Sequence, residues 1–250
     1  MENIITFKHS GHSGDLIYSL AAVQAVCKRK NAKAIYYVQL DVKTDVKGHS
    51  MGTTMINRKQ YDFLYDLINM QPYMKEVRIY NGEQVDYDLD LFRKKPINLS
   101  ANSIIEWYGM ANPDLIVANN DKWLYIYPIP HKEVVVARSL RYTMPFTSYS
   151  CVGKAKFIGL ESEYKFSKQQ LNCEFEYQPC SNALEMAQII AGSKYFVGNQ
   201  SFPFALAEGL KVTRVLESYQ ACPNVVPSGG TAMYFMDQEG LESCIKSLNL

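Results

Sequence analysis

The stretch of this chain best suited to chemistry is Ser10-Gly11-His12-Ser13-Gly14-Asp15-Leu16-Ile17, where an aspartate sits between a glycine pair and an apolar run. Glycines let the backbone approach a ligand closely, and the first turn of a helix offers unpaired amides to an anion. Gly11, Ser13 and Gly14 are therefore candidate ligand contacts, and Asp15 is a candidate general base. The Gly-x-x-Gly spacing falls short of the dinucleotide fingerprint, and no Gly-Lys-Ser/Thr follows to make a P-loop. An aspartate at a helix start has a second reading as well, as a cap that opposes the helix dipole.

Three further loops carry polar groups. Gly198-Asn199-Gln200-Ser201 follows an apolar run and precedes a helical one. Such a helix start suits a diphosphate, because amides and the positive dipole end point at it. The alternative is an ordinary strand–loop–helix with Ser201 as N-cap. Arg138 and Arg141 stand just past another apolar run, where guanidinium groups can pair with a diphosphate in bidentate fashion or simply be surface charge. Glu217 ends a third run, a position from which carboxylates take ribose hydroxyls. Asp86, Asp88 and Asp90 alternate with apolar residues and read as the solvated face of an edge strand. The histidines His9, His12, His49 and His131 show no i, i+4 pairing on one helix, so no metal site is expected.

These loops need elements to position them. Ile4–Phe7 is a short apolar strand, and Leu16, Leu20, Val23 and Cys27 recur at helical spacing. Lys28-Arg29-Lys30 collect at the end of that helix, where the dipole favours cations. Ala34–Val38 is a second strand, completing a βαβ unit whose crossover is right-handed by default. Residues 41–54 read as a long loop, 57–70 as a helix, 77–80 as a strand and 85–91 as an edge strand. Pro128-Ile129-Pro130 stiffens the chain and marks a linker. A second alternation follows, with strands at 133–137, 156–160, 194–197 and 212–216 and helices at 183–191, 204–210 and 238–248. Asn182 with Glu185 makes a capped start for the first of these helices. The fold class expected is α/β, with two Rossmann-like lobes facing a cleft in a compact version, spanning residues 1–130 and 131–250.

Composition narrows the function. The 250 residues carry 26 Lys+Arg against 25 Asp+Glu, which gives no signal for a nucleic-acid binder. Six scattered cysteines suit free thiols in a reducing compartment. No window reaches the ~20 apolar residues of a membrane span, and the start lacks a signal-peptide pattern. A cytoplasmic protein of unspecified oligomeric state is expected.

The segment Gly11-x-x-Gly14-Asp15-Leu16-Ile17-Tyr18-Ser19-Leu20 resembles the opening loop of the ADP-heptose:lipopolysaccharide heptosyltransferases, glycosyltransferase family 9. The Gly198–Ser201 segment is similar to that family's donor motif. Asn199-Gln200-Ser201 stands here where Asp-Ser-Gly is commoner, and Phe202-Pro203-Phe204 follows where a histidine is common. The resemblance implies a GT-B fold with an N-terminal acceptor lobe and a C-terminal nucleotide-sugar lobe. It further implies metal-independent, inverting transfer of a hexosyl or heptosyl group from a nucleotide-diphosphate sugar to a glycan or small-molecule hydroxyl, without a cofactor. Asp15 would be the base, with Gly11, Ser13, Gly14, Arg138, Arg141, Gly198, Asn199, Gln200, Ser201 and Glu217 around the donor. Two alternatives stay open: a nucleotide or nucleotide-sugar binder that has lost transfer, and a Rossmann-type epimerase or dehydrogenase, which the missing Gly-x-Gly-x-x-Gly disfavours.

Overall fold

The computed structural model describes residues 2–44, 52–118, 121–145 and 147–249; His49 and the middle of the 41–54 loop lie outside them. The chain forms two compact units, Met1–Ala118 and Asn119–Leu250. The boundary thus precedes the proline pair. The physical reason is that the strap 121–131 is bonded to the second unit. The Trp123 and Leu124 amides both donate to the Gly209 carbonyl at 3.1 Å, and the Ile129 amide donates to the Gln188 carbonyl at 3.1 Å. Trp123 and Leu124 are wholly buried.

In the first unit, β1 (Asn3–His9), α1 (Ser13–Lys30) and β2 (Ala32–Val38) form the expected βαβ unit, followed by α2 (Arg58–Asn69) and β3 (Met74–Ile79). The expected 85–91 strand shrinks to β4 (Tyr87–Asp88), which pairs parallel with β1. There the Asp88 carboxylate accepts the Asp90 amide at 3.0 Å and starts a 3-10 turn, Leu89–Lys94. Leu89, Asp90 and Phe92 are buried, so Asp90 departs from the solvated face expected of it. The helix α3 (Ile104–Ala111) completes the unit. The sheet order is β3-β2-β1-β4, with all pairs parallel. Ile5 and Phe7 of β1 are buried, as are Leu16, Ile17, Leu20 and Val23 of α1, which cements the sheet to its helix. Asn57 and Gln60 start α2 reciprocally: the Gln60 amide donates to Asn57 Oδ1 at 3.0 Å and the Asn57 amide to Gln60 Oε1 at 2.8 Å.

The second unit comprises β5 (Val135–Ala137), β6 (Lys154–Phe157), α4 (Glu161–Gln170), β7 (Glu174–Tyr177), α5 (Ala183–Gly192), β8 (Phe196–Asn199), α6 (Phe202–Leu210), β9 (Arg214–Glu217), β10 (Ala232–Phe235) and α7 (Gln238–Leu248). Its six strands run β10-β9-β8-β5-β6-β7, all parallel. Val136, Phe157, Val197, Val215 and Phe235 from the sheet pack with Leu241 and Ile245 of α7 in one core. Asn182 caps α5, accepting the Glu185 amide at 2.8 Å, while the Glu185 carboxylate turns back to the Ser181 amide and hydroxyl.

Candidate active site

Asp15 stands at the third position of α1, at the carboxyl end of the central part of its sheet. Both readings of this residue meet in its geometry. Its Oδ2 accepts the His12 amide at 3.3 Å, as a capping carboxylate does, and also accepts from Arg93 Nη2 at 3.0 Å. Its Oδ1 takes no hydrogen bond among the described residues, and the side chain is 19% exposed. One oxygen is anchored and the other is available. Gly11 makes this placement possible: a Cβ there would lie 2.7 Å from the Asp15 Cβ and 2.5 Å from the His9 ring. Ser13 and Gly14 occupy the first two positions of α1, where backbone amides have no intrahelical acceptor.

Beneath Asp15 lies a charged network. Lys8 pairs with Asp88 at 3.0 Å and with Asp90 at 3.2 Å, and Asp90 Oδ1 lies 3.5 Å from Arg93 Nε and accepts the Ser10 amide at 3.2 Å. Burial works against the Arg93 charge, but Asp15 and Asp90 outweigh it and raise its pKa. Burial also opposes ionisation of Asp90, and His9, Lys8, Ser10 and Arg93 outweigh that, so its pKa is lowered. His9 is wholly buried. Its Nδ1 accepts the Gly11 amide at 2.7 Å, which assigns the proton to Nε2; from there it is donated to Tyr108 Oη at 3.1 Å, and Tyr108 donates to the Asp15 carbonyl at 2.9 Å. Burial lowers the His9 pKa. His12 instead bonds the Met55 carbonyl at 3.1 Å through Nδ1.

Sequence spacing did not single out Lys8, Asp90, Arg93 or Tyr108 for the site. The only trace was the alternation at Asp86, Asp88 and Asp90, whose buried member is Asp90.

In the second unit the expected donor residues gather at the carboxyl ends of β5, β8 and β9, but several face inward. Glu217 is wholly buried and accepts from Arg138 Nε at 2.6 Å, Arg138 Nη2 at 2.7 Å, the Met144 amide at 2.6 Å and Tyr149 Oη at 2.8 Å. About four lone-pair sites exist on a carboxylate, and these four donors fill them. Glu217 therefore has nothing left for a ribose, and Arg138, its side chain 4% exposed, is its partner. The two clamp the loop between β5 and β6. Asn199 is wholly buried; its Oδ1 accepts the Ser139 amide at 3.0 Å and its Nδ2 donates to the carbonyls of Ser139 and Arg141 at 3.0 and 2.5 Å. Gln200 donates to the Cys222 carbonyl at 2.7 Å and accepts the Tyr219 amide at 2.6 Å. Gly198 serves packing, since a Cβ there would meet the Ala137 carbonyl of β5 at 2.9 Å.

Asn199 thus moulds the loop that carries Arg141 and Tyr142. Tyr142 is held in the left-handed region at φ 53°, an unusual state for a bulky side chain. The Arg141 guanidinium stacks over its ring at 4.8 Å, and the Tyr142 and Tyr219 rings lie 5.8 Å apart. Ser201 holds the N-cap position before α6, but its side chain makes no capping hydrogen bond and its hydroxyl donates to the Asn199 carbonyl at 3.3 Å; Pro203 in the first turn removes one of the amides a phosphate would use. The Ser201 amide donates to the Asn199 carbonyl at 2.7 Å. Arg141, unlike Arg138, forms no ion pair among the described residues; its Nη2 donates to Tyr142 Oη at 3.0 Å. Among the described residues no group of three or more His, Cys, Asp or Glu is placed to hold a metal ion, and no helix is long and apolar enough to cross a membrane. All six cysteines are unpaired.

Two all-parallel α/β sheets, each presenting polar loops at the carboxyl ends of its strands, define a GT-B-like fold. Solved glycosyltransferases share it. The glycosyltransferase family 9 structure from Veillonella parvula DSM 2008 superposes with a TM-score of 0.63 at 12% identity, over 100% of this chain and 97% of that one. The E. coli heptosyltransferase WaaC with ADP-2-deoxy-2-fluoro heptose gives 0.62 at 10%, covering 98% of each chain. The E. coli ADP-heptose lps heptosyltransferase II gives 0.61 at 13%, again covering 98% of each. At these identities the likeness is one of fold. No family model and no curated protein matches the sequence.

Proposed function

We propose that this chain is a metal-independent, inverting glycosyltransferase that moves a sugar from a nucleotide-diphosphate sugar to an acceptor hydroxyl. The observation that carries the reading is the Asp15 carboxylate, anchored through Oδ2 with Oδ1 available, at a strand end of a fold shared with heptosyltransferases. A sugar hydroxyl is a poor nucleophile unless a base accepts its proton as the new bond forms. In the step proposed, the acceptor oxygen bonds to the anomeric carbon and its proton passes to Asp15. The bond from that carbon to the diphosphate oxygen breaks, and its electron pair leaves with the nucleoside diphosphate. Arg141 is the cation we assign to that departing charge, its guanidinium over the Tyr142 ring at 4.8 Å. E. coli WaaC is solved with ADP and with ADP-2-deoxy-2-fluoro heptose, which supports a nucleotide-sugar donor here; hexosyl or heptosyl transfer in the cytoplasm is the corresponding expectation.

The test has two stages. A panel of ADP-, UDP- and GDP-sugars is screened for a rise in melting temperature, since a ligand that binds only the folded state stabilises it. Nucleoside diphosphate release is then followed with glycan and small-sugar acceptors. Asp15→Asn should keep the thermal shift and lower turnover by about 10²–10⁴-fold. Undiminished turnover would exclude Asp15 as the base. A shift without turnover in the unmodified protein would instead support a nucleotide-sugar binder.

A further inference from the structure

The network under Asp15 contains one side chain whose geometry acts on the carboxylate itself. Arg93 arrives from the 3-10 turn after β4, 78 residues along the chain, and places Nη2 3.0 Å from Asp15 Oδ2. It is braced on two sides. Its guanidinium lies over the Phe92 ring at 4.6 Å, and its buried Nε, which makes no hydrogen bond among the described residues, faces Asp90 Oδ1 as an ion pair at 3.5 Å. Asp90 is fixed in turn by Lys8 and by the Ser10 amide. The brace therefore runs from β1 through Asp90 to Arg93 and ends on a single oxygen of Asp15.

We infer that Arg93 is the positioning residue of Asp15: by holding Oδ2 in a braced ion pair, it presents Oδ1 as the atom that receives the acceptor's proton. This rests on the proposed transferase reading. The chemistry favours such a division of labour. A carboxylate that swings between rotamers offers its lone pairs in many directions, while proton acceptance needs one lone pair within about 2.6–3.2 Å of the hydroxyl. The His12 amide alone, at 3.3 Å on the same oxygen, is a longer contact and adds no second direction of restraint. Arg93 supplies a second and shorter contact to that oxygen, at 3.0 Å. Its charge also keeps the anchored oxygen occupied, so the incoming proton goes to Oδ1.

The experiment compares Arg93→Ala, Arg93→Lys and Asp15→Asn with the unmodified protein, reading thermal shift with the ADP-, UDP- and GDP-sugar panel and steady-state release of nucleoside diphosphate. Misplacing a reacting group by ~1 Å costs on the order of 100-fold, so Arg93→Ala should lower kcat by about that factor. Its KM for the donor and its donor-induced thermal shift should not change. Arg93→Lys should recover part of the loss, and guanidinium added to Arg93→Ala should recover part as well. A folding defect would lower the melting temperature and would not respond to guanidinium. Full turnover in Arg93→Ala alongside a dead Asp15→Asn would overturn the positioning role while leaving the base in place. Loss of turnover in Arg93→Ala that neither lysine nor guanidinium restores would also overturn it. Full turnover in Asp15→Asn, or none in the unmodified protein, would overturn the reading beneath it.

Discussion

His9 illustrates how a single buried ring constrains the site loop. As a neutral imidazole it accepts the Gly11 amide on Nδ1 and donates from Nε2 to Tyr108, so it ties the loop to α3. The groups facing it are Asp90 and Asp15, which favour its protonation, and Arg93 and Lys8, which oppose it, with burial the largest influence and the pKa lowered from 6.5. Because the unfolded chain binds a proton at a pH where the folded chain does not, His9 contributes stability above about pH 6.5, lost as pH falls towards the folded value. Asp90, lowered from 3.8, loses its contribution only in more acidic solution, so the two windows separate. Urea denaturation between pH 5 and pH 7, ranges chosen as roughly spanning the ordinary histidine pKa, should show the unmodified protein weakening on acidification. His9→Asn, whose amide oxygen can still accept the Gly11 amide, should be less stable at pH 7 and nearly flat. Parallel curves for the two proteins would remove His9 as the source. None of this was legible from spacing. His9 stood out only as a loop histidine, because its partners Asp90 and Tyr108 lie 81 and 99 residues away and meet it only once β4 has paired beside β1.

At the scale of elements, the legible parts were those with strong local signals. The β1–α1–β2 unit was readable because apolar runs, a glycine loop and helical spacing coincide there. In contrast α4 was not, because ESEYKFSKQQ buries only Ser167 and shows little apolar periodicity. The strands β7 and β10 lie at the two edges of the six-stranded sheet, where EFEY and AMYF leave residues exposed and lack the continuous apolar run of an interior strand. The linker signal was sound in its chemistry but displaced in its meaning. The prolines stiffen a strap that packs on α5 and α6, and the Ile129 carbonyl of that strap passes so close to Gly192 that a Cβ there would fall 1.9 Å from its oxygen. Gly192→Ala must therefore push the strap off the helix. We expect a loss of about 1–3 kcal/mol, the usual cost of overpacking, measured by urea denaturation. A variant as stable as the parent would mean that the strap is loosely seated.

At the scale of the molecule, each unit has its own parallel sheet and its own core, and the charged groups expected as ligand contacts differ in burial. Charge type and strand-end position are visible in a sequence, but burial is not. Arg138 and Glu217 share the strand-end placement of Arg141, yet they satisfy one another inside the second unit, while Arg141 lies on a ring at its surface. That division makes a prediction about unfolding. Glu217→Gln keeps the shape of the side chain but leaves the buried Arg138 charge uncompensated, a change that costs about 3–5 kcal/mol in comparable pairs. Chains with two units commonly depart from a single all-or-none transition. Calorimetry should accordingly resolve two transitions, with Glu217→Gln lowering one and His9→Asn lowering the other. A donor sugar held by Arg141 should raise the transition that Glu217→Gln lowers. If both substitutions displaced one shared transition by similar amounts, the units would unfold as a single cooperative body, and the assignment of separate cores to separate stabilities would fail.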